Sequence, residues 1–527
     1  MSSSSGVSFG GALALLFNNV CGPGVVALAP AFSDGGVTAA SALLGCAALA
    51  SLLAAALLCE ALAALPRNAD LAGRRELADA CLHLLAPRAA KAVLAGAVAL
   101  FLSVAVASIV ETAQTVDVFL LWAAGATCGV RLDGAGVGVC VRAGDAAGSD
   151  SPFGATPVAS AGYAAVAALA LPLGAIDLDG NIGVQVAAAL LIVLIAVEWC
   201  AQWAVRGLVY DRVPTVGDPA SPRAVATTVG TILFNFGFVL TVPSVVGLKR
   251  RAARAHPLLV AGVGAGTLLM AGVGLLAAVG VGGDAGDLLD ALESARYPPL
   301  TRVAAFLFAP AALLTGIPVY SIIARDNLVA SRLLATRARA AALAVAVPWL
   351  GALALYPGDR LETIVEWTGL FLVVPLNFAL PAALCLAARA RAASGDERRR
   401  QRLSIALALD IDAARGAERP AIDPAPLLRP DDARESSNEC GDSLGGAPPS
   451  SSAGGLSLVR HELATPAGES VNDAATPRDD TDPEYRFPGA IPGLSDRATR
   501  AIAWMLIVLP LVLNAVAVAS KIDQEAR

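Results

Sequence analysis

A succession of apolar runs, each near the length a helix needs to cross a bilayer, constrains this chain more than any other feature. A hydrocarbon core about 30 Å thick takes about 20 helical residues. Runs of that order lie at about 8–31, 37–64, 92–122, 158–175, 183–205, 223–247, 257–281, 300–324, 335–356, 362–388 and 498–519. Of the 527 residues 56% are hydrophobic and 16% charged. That is too little charge to cover a soluble body of this size. The expectation is an all-α polytopic membrane protein with about eleven transmembrane helices.

Basic residues gather in alternate connections. Arg67, Arg74, Arg75, Arg88 and Lys91 lie between runs two and three; Lys249, Arg250, Arg251 and Arg254 follow run six. Arg325, Arg332, Arg337 and Arg339 follow run eight; Arg389, Arg391, Arg398, Arg399, Arg400 and Arg402 follow run ten. Positively charged connections stay in the cytosol, which puts the N-terminus inside and the C-terminus on the far side. The tail 1–7 has no basic n-region, so the first run reads as a retained helix and not as a signal peptide. Residues 8–205 then hold helices 1–5, and 206–388 hold helices 6–10. Residues 389–497 read as a disordered cytosolic loop, rich in Ser, Pro, Gly, Asp and Arg, that cannot bury a core. Its piece RQRLSIALALDIDAARG has the pattern of an amphipathic helix on the inner membrane face. Helix 11 is 498–519, and 520–527 is a tail.

Run one is not built only to span. Its centre reads NNVCGPGVVALAPAF, with Asn19, Cys21 and the triplet Gly22-Pro23-Gly24. Proline removes a donor and glycine weakens helical order. Backbone groups freed inside hydrocarbon need partners, so such a break survives where it lines a cavity or binds something. The half-helix that begins near Val25 carries positive partial charge, which suits a carboxylate. The half before it ends in carbonyls, which suit a cation. A packing kink at proline is the alternative. Run six, TILFNFGFVLTVPSVVGLKR, is interrupted at corresponding depth by Asn235, Gly237 and Pro243. Charge bias makes it run opposite to run one. Two broken helices, five apart and antiparallel, are what a five-plus-five inverted repeat produces. The candidate substrate site is therefore Asn19, Cys21, Gly22, Pro23 and Gly24 with Asn235, Phe236 and Gly237, flanked by helices three, eight and ten.

Several stretches recur in a family-like order: Asn19, Gly22 and Gly24 in run one, then CEALAALPRNADLAGRREL, LPLGAIDLDGNIGVQ, FNFGFVLTVPS, TGIPVYSIIARDNL and TGLFLVVPLNFALP. In these the sequence resembles the amino acid/auxin permease family of the amino acid–polyamine–organocation superfamily, over nearly all of the spanning part. The resemblance implies a leucine-transporter-type fold and secondary active transport of amino acids by alternating access, coupled to a proton or a sodium ion. It makes Thr315 a candidate sodium ligand. A threonine bonded to its own helix backbone is the competing reading. There are departures: Ala29 where proline is usual, with Pro30 one step on; Pro66-Arg67-Asn68 for Pro-Gly-Asn; and Val245, Val246, Gly247 and Leu248 after Pro243-Ser244.

Glu111 lies deep in run three, on one helical face with Ser108, Thr112 and Thr115. An intramembrane acid is costly unless neutral, paired or in a wet cavity, so Glu111 is a candidate for proton coupling. A protonated structural acid is the other reading. Glu198 and Glu366 are similar candidates, and Glu60 reads as packing or capping at the inner end of helix two. Cys128 and Cys140 share a polar loop that charge bias places outside or in a lumen, where a disulfide persists. Free thiols in a flexible loop are the alternative. No Ser/His/Asp or Cys/His set can be assembled, and three histidines without a Cys/His cluster speak against a structural metal. The expected partners are an amino acid and the bilayer, with no nucleic acid and no cofactor beyond the coupling ion. The membrane is the plasma membrane or an endomembrane such as the vacuole's. An amino-acid sensor that signals through residues 389–497 with little flux is the rival to transport.

Overall fold

The computed structural model describes residues 6–71, 73–133, 138–145, 151–154, 156–209, 213–214, 222–250, 253–281, 288–294, 296–334, 336–356, 368–394 and 495–526. These belong to one of two units, residues 1–395 with 487–527; the other, 396–486, lies outside the described residues. So do the amphipathic piece of the long loop and Glu366.

The helices in chain order are α1 (Phe9–Val20), α2 (Leu28–Gly35), α3 (Val37–Ala63), α4 (Leu77–Leu84), α5 (Pro87–Ala124), α6 (Ala161–Ala175), α7 (Ile182–Arg206), α8 (Pro222–Asn235), α9 (Val242–Leu248) and α10 (Ala255–Val281). Then follow α11 (Leu288–Glu293), α12 (Pro299–Ala309), α13 (Gly316–Ala330), α14 (Arg337–Leu355), α15 (Phe371–Ser394) and α16 (Asp496–Ala526). Among the described residues, eight helices are long and apolar enough to cross a membrane; Phe9–Val20 and Ala161–Ala175 are shorter apolar helices. Leucines face outward on several of them. Leu194 on α7 is 66% exposed, Leu268 on α10 76% and Leu350 on α14 66%. Apolar surface on that scale is what a lipid-facing helix presents. α15 continues through Ser394, past the end at 388 that its apolar run suggests.

Both interrupted runs are interrupted in the structure. Run one is α1, a 3₁₀ turn Pro23–Val25, and α2; run six is α8, a 3₁₀ stretch Gly237–Thr241, and α9. Run eight is α12 and α13 joined by a π turn at Pro310–Leu314, and α15 carries two such turns. π turns cluster where a helix serves a site. Gly36, at φ 76°, makes the sharp turn from α2 into α3 that residues with a Cβ rarely adopt.

α10 packs along both halves of run one through a column of glycines. A Cβ at Gly262 would lie 2.5 Å from Leu16, one at Gly266 2.4 Å from Val20, and one at Gly274 3.0 Å from Leu28. Small residues four apart let helices in lipid approach closely, where packing and not water drives association.

The connection between α5 and α6 departs from the all-α expectation. It holds a three-stranded antiparallel sheet, β1 (Ala126–Arg131), β2 (Gly138–Arg142) and β3 (Val158–Ser160), in the order β2-β1-β3. Cys128 and Cys140 sit directly opposite each other in β1 and β2 and are joined by a disulfide. Asp117, fully buried near the end of α5, anchors this cap. It accepts from the Thr127 hydroxyl at 2.6 Å, from the Gly162 N–H at 2.9 Å and from the Tyr356 hydroxyl. One carboxyl thus ties α5, β1, α6 and the end of α14 together.

Candidate functional site

The two breaks meet. The Asn19 side-chain amide, one residue before the end of α1, donates to the Thr241 hydroxyl just before α9, at 3.1 Å. The Asn235 amide at the end of α8 donates to the Gly24 carbonyl in the first break, at 2.9 Å. Farther out, the Thr228 hydroxyl donates to the Ala31 carbonyl at 3.2 Å. As the number rises on one partner it falls on the other, so the broken helices cross antiparallel. The Thr241 hydroxyl in turn donates a hydrogen bond to the Phe238 carbonyl at 2.7 Å. Asn377 on α15 caps the second break by accepting from the Leu240 N–H at 3.2 Å.

A small cavity lies against the breaks. Asn19, Gly22 and Gly24 face it from run one, and Phe234, Asn235, Gly237 and Phe238 from run six. Leu100, Phe101 and Val104 of α5, Tyr320 of α13 and Val373 of α15 close it. Phe101 and Tyr320 stack, with centroids 6.4 Å apart. No charged side chain is among these residues. The Asn235 amide spends both N–H groups, on Gly24 and on the Thr231 carbonyl. Its Oδ1 is buried with no donor among the described residues. A buried acceptor without a donor is costly, so this oxygen is a ready partner for an incoming N–H.

Of the proposed site residues, Asn19, Gly22, Gly24, Asn235 and Gly237 face the cavity. Cys21 and Phe236 are fully buried and do not face the cavity. Pro23 opens the 3₁₀ turn of the first break, where its missing N–H costs nothing.

A second polar set joins α1, α7 and α13. The Asn18 amide donates to the Gln185 backbone carbonyl at 2.9 Å and to Gln185 Oε1 at 2.7 Å. Gln185 Nε2 donates to the Thr315 carbonyl at 2.9 Å. The Thr315 hydroxyl donates to the Ala311 carbonyl, inside the π turn, at 2.9 Å. Asn18 Oδ1 is buried with no donor among the described residues and the Thr315 hydroxyl donates, so the set offers oxygens to a cation beside its two donating amides. Of this set only Thr315 was singled out by sequence. A glutamine within an apolar run, or an asparagine beside one already chosen, was the available signal.

Glu111 does not line the cavity. It is half-buried on α5, seven residues beyond Val104, or about 10 Å of helix rise. Thr112 and Thr115 bond back to the helix, to the carbonyls of Ser108 and Glu111. Glu198 accepts from the Thr301 hydroxyl at 2.7 Å, away from the breaks. Glu60, read as packing or a cap, forms an ion pair with Arg389 of α15.

No curated protein matches the chain. Residues 5–121 match the sequence model of a family described as transmembrane amino acid transporter protein. With eight helices among the described residues able to cross a bilayer, the chain is an integral membrane protein whose residues 5–121, the first break and the α5 wall of the cavity included, are similar to the transmembrane amino acid transporter family.

Proposed function

We propose that this protein is a secondary active transporter of neutral amino acids that works by alternating access. The observation that carries the reading is the crossing of two broken helices at one cavity, with an unpartnered amide oxygen and no charged wall. The substrate carboxylate is bound at the 3₁₀ turn that begins α2, where helix N–H groups carry positive partial charge. Its ammonium meets Asn235 Oδ1. Its side chain lies among Leu100, Phe101, Phe234, Phe238 and Tyr320, which favour an apolar group and leave a charged one unpaired.

The architecture in this reading is a leucine-transporter-type repeat of five plus five helices with an eleventh following. The antiparallel crossing of runs one and six supports it. The N-terminus faces the cytosol. Charge bias supports that side, and so does a disulfide in the α5–α6 connection on the opposite face, where thiols oxidise. The coupling ion in this reading is a proton, and Glu111, an acid within the spanning run of α5, is its candidate carrier.

Uptake of labelled amino acids into proteoliposomes, with a pH gradient, a sodium gradient or neither, tests this reading. Accumulation of neutral amino acids with the pH gradient alone is the expected result. Binding without flux would favour a sensor instead. Glu111→Gln is expected to lower gradient-driven accumulation at least tenfold while substrate exchange continues, since the amide keeps shape but takes no proton. A structural acid would lower both activities together. Unchanged accumulation would remove Glu111 from coupling.

A further inference from the structure

The cavity at the breaks holds one polar group that the proposed substrate contacts leave unused. Away from runs one and six its wall is Leu100, Phe101 and Val104 of α5, Val373 of α15 and Tyr320 of α13. All of these side chains are hydrocarbon except that of Tyr320. Its ring stacks on Phe101, with centroids 6.4 Å and planes 27° apart. A phenylalanine could stack in the same way, so the hydroxyl is what the tyrosine adds. A buried tyrosine hydroxyl ordinarily finds a protein partner. Tyr163 donates to the Trp349 carbonyl at 2.7 Å, and Tyr356 donates to Asp117. Tyr320, half-buried, makes no hydrogen bond among the described residues. Nor is its oxygen one of the sealed atoms without a partner, as Asn235 Oδ1 is. It therefore opens onto the cavity that its ring lines.

The other free polar atoms of the cavity sit on the broken helices. Asn19 Oδ1 and Asn235 Oδ1 have no donor among the described residues. Two bare acceptors suit the substrate ammonium and repel its carboxylate. The carboxylate goes to the N–H groups of the 3₁₀ turn that leads into α2. The two groups that every amino acid shares are thus met by runs one and six. Tyr320 belongs to a different wall. It hangs from α13 and is held against α5, beside the hydrocarbon that surrounds the substrate side chain.

We propose that the Tyr320 hydroxyl is a specificity contact for a side-chain hydroxyl, and that the preferred substrates are the small hydroxyl amino acids, threonine and serine. This rests on the placement of an amino acid at the breaks and narrows the neutral class to one chemistry. A phenolic O–H both donates and accepts, so it pairs with a substrate hydroxyl in either sense. Phe101, Leu100 and Val104 meet the carbon part of the same side chain. A methyl in place of the substrate hydroxyl strips water from the Tyr320 oxygen and returns no bond. A charged side chain finds no opposite charge on these walls. The small size of the cavity favours a hydroxyl over the longer carboxamides.

Threonine and valine test this, because they have nearly one shape and differ by a hydroxyl in place of a methyl. Equilibrium binding of labelled threonine and labelled valine is measured on the purified full chain, with and without Tyr320→Phe, which keeps the ring and its stack on Phe101. The parent protein should bind threonine more tightly than valine. Tyr320→Phe should move that ratio toward valine by on the order of tenfold or more. A parent that prefers valine, or a ratio that the substitution leaves unmoved, would overturn the assignment while leaving an amino-acid site at the breaks. Equal weakening of both ligands would put the hydroxyl on the shared carboxylate and would overturn it too. Serine against alanine repeats the comparison without any variant, so a misfolded Tyr320→Phe protein does not end the test; no preference for serine would count equally against it. Binding of none of the four amino acids would sink the reading of the site itself, and the hydroxyl contact with it.

Discussion

Gly24→Val is expected to abolish amino-acid binding in a protein that still inserts and folds. A Cβ on Gly24 would lie 2.5 Å from both polar atoms of the Asn235 amide. The amide must swing away, which breaks its 2.9 Å bond to the Gly24 carbonyl and moves the one unpartnered oxygen at the cavity. The broken bond lowers stability, and losing that oxygen's contact with the substrate ammonium costs about 1.5–3 kcal/mol, on the order of tenfold to a hundredfold in affinity, before the steric loss of the site is added. Sequence reasoning treats Gly22 and Gly24 alike, and the structure separates them. Gly22 has extended backbone angles, φ −78° and ψ −162°, open to any residue, and a Cβ there meets nothing within 4 Å. Gly22→Val should therefore fold normally and weaken binding only by taking up cavity space. Equilibrium binding of a labelled neutral amino acid to both purified variants decides. Normal affinity in Gly24→Val would remove the site from the crossing of the breaks.

The largest effect on stability is expected at Asp117. Asp117→Ala leaves three buried donors, the Thr127 and Tyr356 hydroxyls and the Gly162 N–H, without their acceptor. An orphaned buried donor costs about 1–3 kcal/mol, so the loss should exceed about 3 kcal/mol. The apparent Tm in detergent should fall clearly, with the disulfide-closed sheet exposed first to protease. Gly162 leaves no room for repair, since even a Cβ there would meet the Ala113 carbonyl at 2.3 Å. A variant that melts with the parent protein would show that water replaces the carboxyl, and that the cap has other supports.

The contrast between Asp117 and Glu111 shows what a sequence can and cannot disclose. Both acids lie on α5, within two turns of each other. Glu111 stands out in the sequence because it interrupts an apolar run; Asp117, the more buried of the two, sits near the run's end and passes for a cap. Its three donors come from residues 10, 45 and 239 positions away. The breaks at Gly22–Gly24 and Asn235–Gly237 were legible because glycine and proline inside a spanning run have few structural uses in hydrocarbon. Long helices were legible from length alone. The sheet at 126–160 was not, since its strands are short and the region is rich in glycine and polar residues. Nor was Gln185, whose role depends on Asn18 and Thr315 meeting it from two other helices.

The glycine column on α10 bears on how run one moves. Leu16 and Val20, before the break, and Leu28, after it, seat in notches of a single unbroken rod. The rod acts as a splint. The gap at Gly22–Gly24 interrupts hydrogen bonding without giving run one an independent joint, because bending there would lift one half out of its notches. Sliding is resisted too, since all three teeth would have to clear at once. In the proposed transport reading, run one and α10 would therefore travel as a single piece, and an opening beside the break would come from that piece shifting against α5, α13 and α15.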